Sequence, residues 1–301
     1  MCQMIPKMNR ILIMIPSRIS SYHRRIFIRQ TWADLRKRDL KLNYTIIFFV
    51  GKPEGANQRA SLEAEKSLFG DLAILTLADV YYDLTSKMMA LFSWAEHFCR
   101  DAFFVYKVDD DVYLHLENME KRIQFIIKKQ SFSRSLYGGR CHKYPLIERE
   151  KKSKFYVSYE ENNSTFFPPY CEGPFYFMSA HLAFDLARHC WDLPYNKFED
   201  VFVGACIKFV HPETKFLNIS RKFMRFEFKQ ENKAKHQRPY KIDKIQPGFG
   251  KLSVALHSMN TNQMLRLHQK LTSNKISGTE NTIKFYLQEL SKKAFVFKNN
   301  T

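Results

Sequence analysis

FFVYKVDDDVYL (residues 103–114) begins as a nearly unbroken apolar run and ends in acid. Such a run suits a strand buried on both faces of a parallel sheet. It stops at three consecutive carboxylates, Asp109, Asp110 and Asp111. Like charges this close repel, and some are driven toward protonation unless something positive compensates them. The carboxyl edge of an α/β sheet is also where ligands bind. Asp109 and Asp111 offer oxygen donors suited to Mg2+ or Mn2+. A cation held there can bridge a diphosphate and stabilise charge on a departing phosphate oxygen. The competing account is an acidic turn capping the next helix; the apolar context of the strand argues against it.

Around this stretch, apolar runs alternate with amphipathic segments, the pattern of an α/β sheet. Residues 10–15 and 44–50 read as further strands, and 24–32 as the opening of a basic helix. Met88, Leu91, Phe92, Ala95 and Cys99 recur at helical spacing, as do Leu116, Met119, Ile123, Ile126 and Ile127. Residues 149–170 are polar and close on Pro168-Pro169, which predicts a surface hairpin or lid. A late strand is expected over 252–257, a helix over 264–271, and a weak helical patch around 283–290. No repeat or low-complexity block interrupts the chain, so the expectation is one domain over 8–272 and a basic tail over 273–301.

Composition narrows the partners. A 45% hydrophobic fraction with 27 Phe and 15 Tyr implies a packed core rather than a disordered chain. The formal charge of +18 favours anionic ligands but does not choose among nucleic acid, membrane, acidic glycan and nucleotide diphosphate. No recognised nucleic-acid motif is present, so nucleic acid is not expected as a partner. The 6 cysteines contain no CxxC pair, which speaks against a structural zinc site and leaves their pairing open. Sequons begin at Asn43, Asn162, Asn163, Asn218 and Asn299, a moderate excess over chance that suits an oxidising, glycosylating lumen. No apolar run approaches the ~18 residues a membrane span needs. Residues 11–15, halted by Pro16, are too short for a signal peptide.

Three further clusters carry chemistry. KFEDVFVG (197–204) sets Glu199 and Asp200 before an apolar run, where either carboxylate can serve as a general base or simply face the helix N-terminus. In YHRRIFIRQTW (22–32), Arg25 and Arg29 lie four apart on one helical face and can grip phosphate oxygens or line a basic surface. His257 follows an apolar run; alone it reads as a core or edge histidine, beside carboxylates as a ligand suited to Mn2+.

Taken together, RRIFIRQTW (24–32), DLTSKMMALFSWAEHFC (83–99), FVYKVDDDVYL (104–114), PPYCEGPFYFMS (168–179), FEDVFVGAC (198–206) and the run to His257 resemble the β-1,3-galactosyltransferase and β-1,3-N-acetylglucosaminyltransferase family, glycosyltransferase family 31. The resemblance covers about residues 10–271. It implies a GT-A fold: a Rossmann-like nucleotide-sugar half (about 8–115) and an acceptor half (about 116–272) over one mixed sheet. It implies an inverting hexosyltransferase that moves galactose or an N-acetylhexosamine from a UDP-sugar to a glycan hydroxyl. By resemblance, Asp111 and His257 hold Mn2+ with Asp109 beside them near the ribose. Arg29, Lys87, Asp109 and Asp110 fall at the donor nucleotide, Asp200 at the catalytic base with Glu199 as local alternative, and Glu172 and Gly173 in the acceptor pocket. The sequence departs from the family pattern at Pro174, which stands in a usually glycine-rich stretch and fixes φ while removing a donor. The resemblance further implies a type II membrane protein of the Golgi lumen, reaching the membrane only through an anchor that these residues do not include. The alternatives are a glycan-binding protein that has lost turnover and a phosphatase with an aspartate nucleophile, which also places D-x-D after an apolar strand.

Overall fold

Every residue of the segment RILIMIP (10–16) is buried, as a central parallel strand requires. This segment is β1 (Arg10–Pro16). A computed structural model of the chain describes residues 10–37, 39–79, 83–128, 135–220, 224–225 and 254–272. After β1 come α1 (Tyr22–Gln30), β2 (Asn43–Lys52), α2 (Ala56–Phe69), β3 (Leu72–Ala78), α3 (Leu84–Phe98) and β4 (Ala102–Val108). β5 (Tyr113–Leu114), α4 (Leu116–Lys128), β6 (Leu136–His142), β7 (Tyr170–Ser179), α5 (Ala180–His189) and α6 (Glu199–Val210) follow. The described chain closes with β8 (Lys215–Asn218), β9 (Met224–Arg225), β10 (Ala255–Leu256) and α7 (Thr261–Thr272).

The main sheet has seven strands in the order β3-β2-β1-β4-β7-β6-β8. Its first four strands are parallel, whereas β7 runs antiparallel to both β4 and β6. This is a mixed α/β sheet, as the alternating sequence pattern implies. The chain leaves β1 outward to β2 and β3, then crosses back to β4 on the other flank of β1. That reversal opens a crevice beyond the carboxyl ends of β1 and β4, where such sheets bind ligands.

Alternation along the strands feeds two cores. Ile11, Ile13, Ile15, Tyr106, Phe175 and Phe177 face the layer holding Met119 and Ile123 of α4 and Leu267 of α7. Leu12, Met14, Val105, Tyr176 and Met178 face Met88 and Phe92 of α3, Leu186 of α5 and Val203 of α6. Each fully buried side chain of this size contributes about 1.5–3 kcal/mol. Lys107, next but one to Val105 on β4, points by the same alternation to the α6 side.

A second sheet, β5-β10-β9, is small. β10 pairs antiparallel with β5, His115 N–H donates to Val254 O at 2.8 Å, and Met259 N–H donates to Asp111 O at 3.0 Å. These bonds bring a segment about 140 residues downstream, His257 included, onto the acidic turn after β4.

The expected strands and helices lie where their patterns place them, each within a few residues. The late strand is shorter, with only β10 formed over the described part of 252–257. Residues 149–169 hold no named strand, and Tyr170 already opens β7; an isolated bridge pairs Leu146 with Phe166, and the guanidinium of Arg149 gathers the carbonyls of Val157, Ser158, Asn162 and Ser164 at 2.7–2.9 Å. The tail and its helical patch around 283–290 fall outside the described residues. A disulfide joins Cys141 to Cys171 across β6 and β7. Cys99 is also disulfide-bonded, and Cys190 and Cys206 are buried thiols. No helix among the described residues is long and apolar enough to cross a membrane.

Candidate active site

β4 delivers its three aspartates into the crevice, and each meets a different partner. Asp110 accepts from Ser17 Oγ at 2.8 Å and from Arg24 Nη1 at 2.7 Å. It thereby ties the end of β1 and the start of α1 to the turn. Asp109 Oδ1 lies 2.8 Å from Lys107 Nζ. Asp111 has Arg24 only at 4.0 Å and His257 Nε2 at 3.4 Å.

The third carboxylate is therefore the undercompensated one. Burial first, then the charges of Asp109 and Asp110, push the Asp111 carboxyl up to about 7. His257 is pushed the other way, to about 4, chiefly by burial and also by Lys107 and Lys154. A neutral imidazole facing an unsettled carboxylate is a contact rather than an ion pair, and its ring nitrogen keeps a lone pair to offer. One ligand atom each from Asp109, Asp111 and His257 lie within 4.8 Å of one another. Two carboxylate oxygens and one imidazole nitrogen form a donor set that fits a divalent cation.

The acidic pair of α6 arrives from the opposite side. Asp200 Oδ2 accepts from Gly173 N–H at 2.9 Å and Oδ1 from Val201 N–H at 2.9 Å. Burial raises its carboxyl above the usual range, and the two N–H donors pull it back. Glu199 Oε1 accepts from Tyr176 Oη at 3.2 Å and pairs with Lys107 Nζ at 3.2 Å. Burial carries Glu199 up to about 7, against the pull of Lys107.

Gly173 reaches Asp200 because β7 bulges. The β6–β7 register runs from Gly139↔Tyr176 to Cys141↔Cys171, so one residue of β6 opposes residues 172–175 of β7. Pro174 sits inside this bulge, where a missing N–H costs no ladder bond, and its carbonyl accepts from Asp109 N–H at 3.0 Å. A Cβ on Gly173 would lie 3.0 Å from Glu199 Oε2 and 3.4 Å from Asp200 Oδ2. The two carboxylates therefore crowd this position, and a side chain here would make them give by a few tenths of an ångström. Glu172, in the same bulge, is buried against Arg140 and lies 2.7 Å from His142 Nε2.

The remaining site residues separate. Lys87 lies at the crevice, with Nζ 3.0 Å from Ser17 O and 3.1 Å from Asp79 Oδ1. Arg29 does not reach the acidic turn. Its guanidinium meets Asp71 at 2.7 and 2.8 Å and Glu65 at 2.9 Å, stacked between the rings of Phe48 and Phe69. Arg25 shares Glu65 at 2.7 and 2.8 Å. Arg24, one step around α1, is the arginine that faces the carboxylates. Ser17, Arg24, Asp79 and Lys107 complete the site without having been singled out from the sequence. For Lys107 a signal existed: a lysine inside an apolar strand needs a buried counter-charge.

A family model described as Galactosyltransferase matches residues 23–214. Beta-1,3-galactosyltransferase 5 of Pan troglodytes is 33% identical over 196 residues, 63% of this chain and 64% of that protein. Lactosylceramide 1,3-N-acetyl-beta-D-glucosaminyltransferase of Homo sapiens is 30% identical over 202 residues, 65% of this chain and 53% of that protein. UDP-GalNAc:beta-1,3-N-acetylgalactosaminyltransferase 1 of Rattus norvegicus is 32% identical over 205 residues, 65% of this chain and 59% of that protein. The chain thus spans less than two thirds of the length of these relatives.

Proposed function

Because the chain belongs to the galactosyltransferase family, we propose that it is an inverting hexosyltransferase that moves galactose or an N-acetylhexosamine from a UDP-sugar to a glycan hydroxyl, forming a β-1,3 linkage. The observation that carries this reading is the convergence of Asp109, Asp111 and His257 within 4.8 Å at the switch point of the sheet. The names of the relatives supply the β-1,3 linkage and the range of sugars.

In this reading the donor nucleotide lies in the crevice past β1 and β4, where Lys87, Ser17 and the ribose-facing Asp109 line its path. Asp111 and His257, with Asp109 beside them, would hold Mn2+. Bound there, the metal supplies a Lewis acid that takes up charge on the departing diphosphate. Asp200 accepts the proton of the attacking acceptor hydroxyl, held in place by the N–H groups of Gly173 and Val201. Displacement at the anomeric carbon is direct, so no side chain needs to carry the sugar. Glu199 is already engaged by Lys107 and Tyr176, which favours Asp200 as the base. Glu172 and Gly173 begin the acceptor pocket on the bulge. We take residues up to about 115 as the donor half and those from about 116 to 272 as the acceptor half.

The sequons and the Cys141–Cys171 disulfide support a lumenal, oxidising location, with the Golgi as the compartment and a type II membrane topology. The test is a donor screen: purified protein, Mn2+, each UDP-sugar in turn and a panel of glycan acceptors, with released UDP and product linkage as readouts. One UDP-hexose should give acceptor-dependent UDP release and a β-1,3 product. Binding of glycans without turnover of any donor would return the chain to the binding-protein alternative.

A further inference from the structure

We propose that Lys107 is a positioning residue that locks the acidic turn of β4 to the acidic start of α6, fixing the distance between the donor site and the base. The inference rests on Asp200 being the base.

Lys107 is 4% exposed, and a cation so buried is retained only where acceptors converge on it. Three do. Its Nζ lies 2.8 Å from Asp109 Oδ1, 3.2 Å from Glu199 Oε1 and 2.5 Å from Gly173 O. An ammonium has three hydrogens, so each acceptor takes one. The three acceptors belong to three separate pieces of backbone: the turn after β4, the first residue of α6, and the bulge of β7. None of these pieces is held to all the others by regular strand or helix bonds. Gly173 closes the loop of contacts, since its carbonyl accepts from Lys107 while its N–H donates to Asp200. Tyr176, the β7 partner of Lys107 in the ladder, donates to the same Glu199 oxygen and keeps that carboxylate turned toward the ammonium.

The consequence is geometric. A shift of α6 against β4 must break at least one ammonium contact before Asp200 can move away from the donor site. Misplacement by ~1 Å can cost about 100-fold in rate, so Lys107 should govern turnover more than donor binding.

The test uses three variants beside the parent: Lys107→Arg, Glu199→Gln, and the double variant Lys107→Met/Glu199→Gln. The double variant removes the cation and one of its anions together, which avoids a stranded buried charge. Each is assayed for thermal unfolding, for UDP binding with Mn2+ by calorimetry, and for transfer kcat and KM. The expected result for the double variant, relative to Glu199→Gln alone, is a kcat lower by about 100-fold with UDP affinity and acceptor KM little changed. Lys107→Arg should show the same split, because a planar guanidinium cannot place one nitrogen on three acceptors. Full activity in Lys107→Arg, or in the double variant relative to Glu199→Gln, would overturn the inference. So would loss of UDP binding in parallel with turnover, which would make Lys107 a support of the donor site alone. Asp200→Asn, run alongside, separates the premises. If Asp200→Asn still transfers sugar, the base assignment fails; if it is inactive while the Lys107 variants are active, only the positioning role fails.

Discussion

Gly173 N–H donates to Asp200 Oδ2 at 2.9 Å, and this bond joins the bulge of β7 to the first turn of α6. It leaves little room for a side chain at 173: an added Cβ would stand 3.0 Å from Glu199 Oε2. Gly173→Ala should therefore push the carboxylates of α6 by a few tenths of an ångström. The expected outcome is a fall in transfer kcat of about tenfold or more with UDP binding preserved. Calorimetry with UDP and Mn2+, beside steady-state kinetics, checks it. Unchanged kcat would mean that this contact does not position the base.

Asp200→Asn can keep only one of the two backbone N–H bonds, because Gly173 and Val201 donate to different oxygens and the amide has one, and it cannot take up a proton. A turnover loss of ~10²–10⁴ is expected, the usual range for general-base catalysis. Product formation under saturating donor and acceptor measures it. An equal effect on UDP affinity would point to a donor-binding role instead.

Metal binding should depend on pH through Asp111. With its carboxyl pushed up to about 7 from an ordinary 3.8, the metal-free site holds a proton below pH 7 that the cation must displace. Apparent Mn2+ affinity should thus fall roughly tenfold per pH unit below 7, one proton being exchanged per metal. His257, lowered to about 4, adds no proton competition until the pH approaches that value. The sign for stability follows: folded Asp111 binds its proton more tightly than the unfolded chain does. The metal-free fold therefore loses this contribution as pH rises from about 4 to about 7. Titrations with UDP and Mn2+ at pH 5.5, 6.5 and 7.5 give the slope; a flat affinity contradicts the assignment of Asp111.

Arg29 carries a different expectation from the one its motif suggests. Its guanidinium joins α1 to Glu65 of α2 and to Asp71 before β3, contacts at 2.7–2.9 Å. Breaking a buried pair by removing one partner costs about 3–5 kcal/mol, and Asp71 is partly exposed, so Arg29→Met should cost somewhat less, about 2–4 kcal/mol. Denaturant unfolding measures this, and donor KM of the folded protein separates it from a binding role. A raised donor KM without loss of stability would restore Arg29 to the nucleotide site.

The sequence carried the chemistry of single segments better than their meetings. The acidic end of β4 was legible because charge after an apolar run needs an explanation that elementary electrostatics supplies. Asp200 was legible only through the motifs around it. Its setting by Gly173 depends on a bulge, marked in the sequence by nothing but Pro174. His257 reaches the aspartates through β10 and β5, strands of two residues each, which no local periodicity reveals. On α1, helical spacing correctly paired Arg25 with Arg29, but that shared face turns to Glu65, while the crevice receives Arg24. Periodicity tells which residues share a face, not what the face meets.

Calorimetric titration of UDP into the protein with Mn2+ and then with chelator, repeated for Asp111→Asn and His257→Ala, addresses the metal corner itself. Tight UDP binding is expected only in the parent with Mn2+, with chelation or either substitution weakening it by an order of magnitude or more, in line with ~10–100-fold losses for disturbed metal sites. UDP binding of equal strength with and without metal, and in both variants, would contradict a cation held by Asp111 and His257.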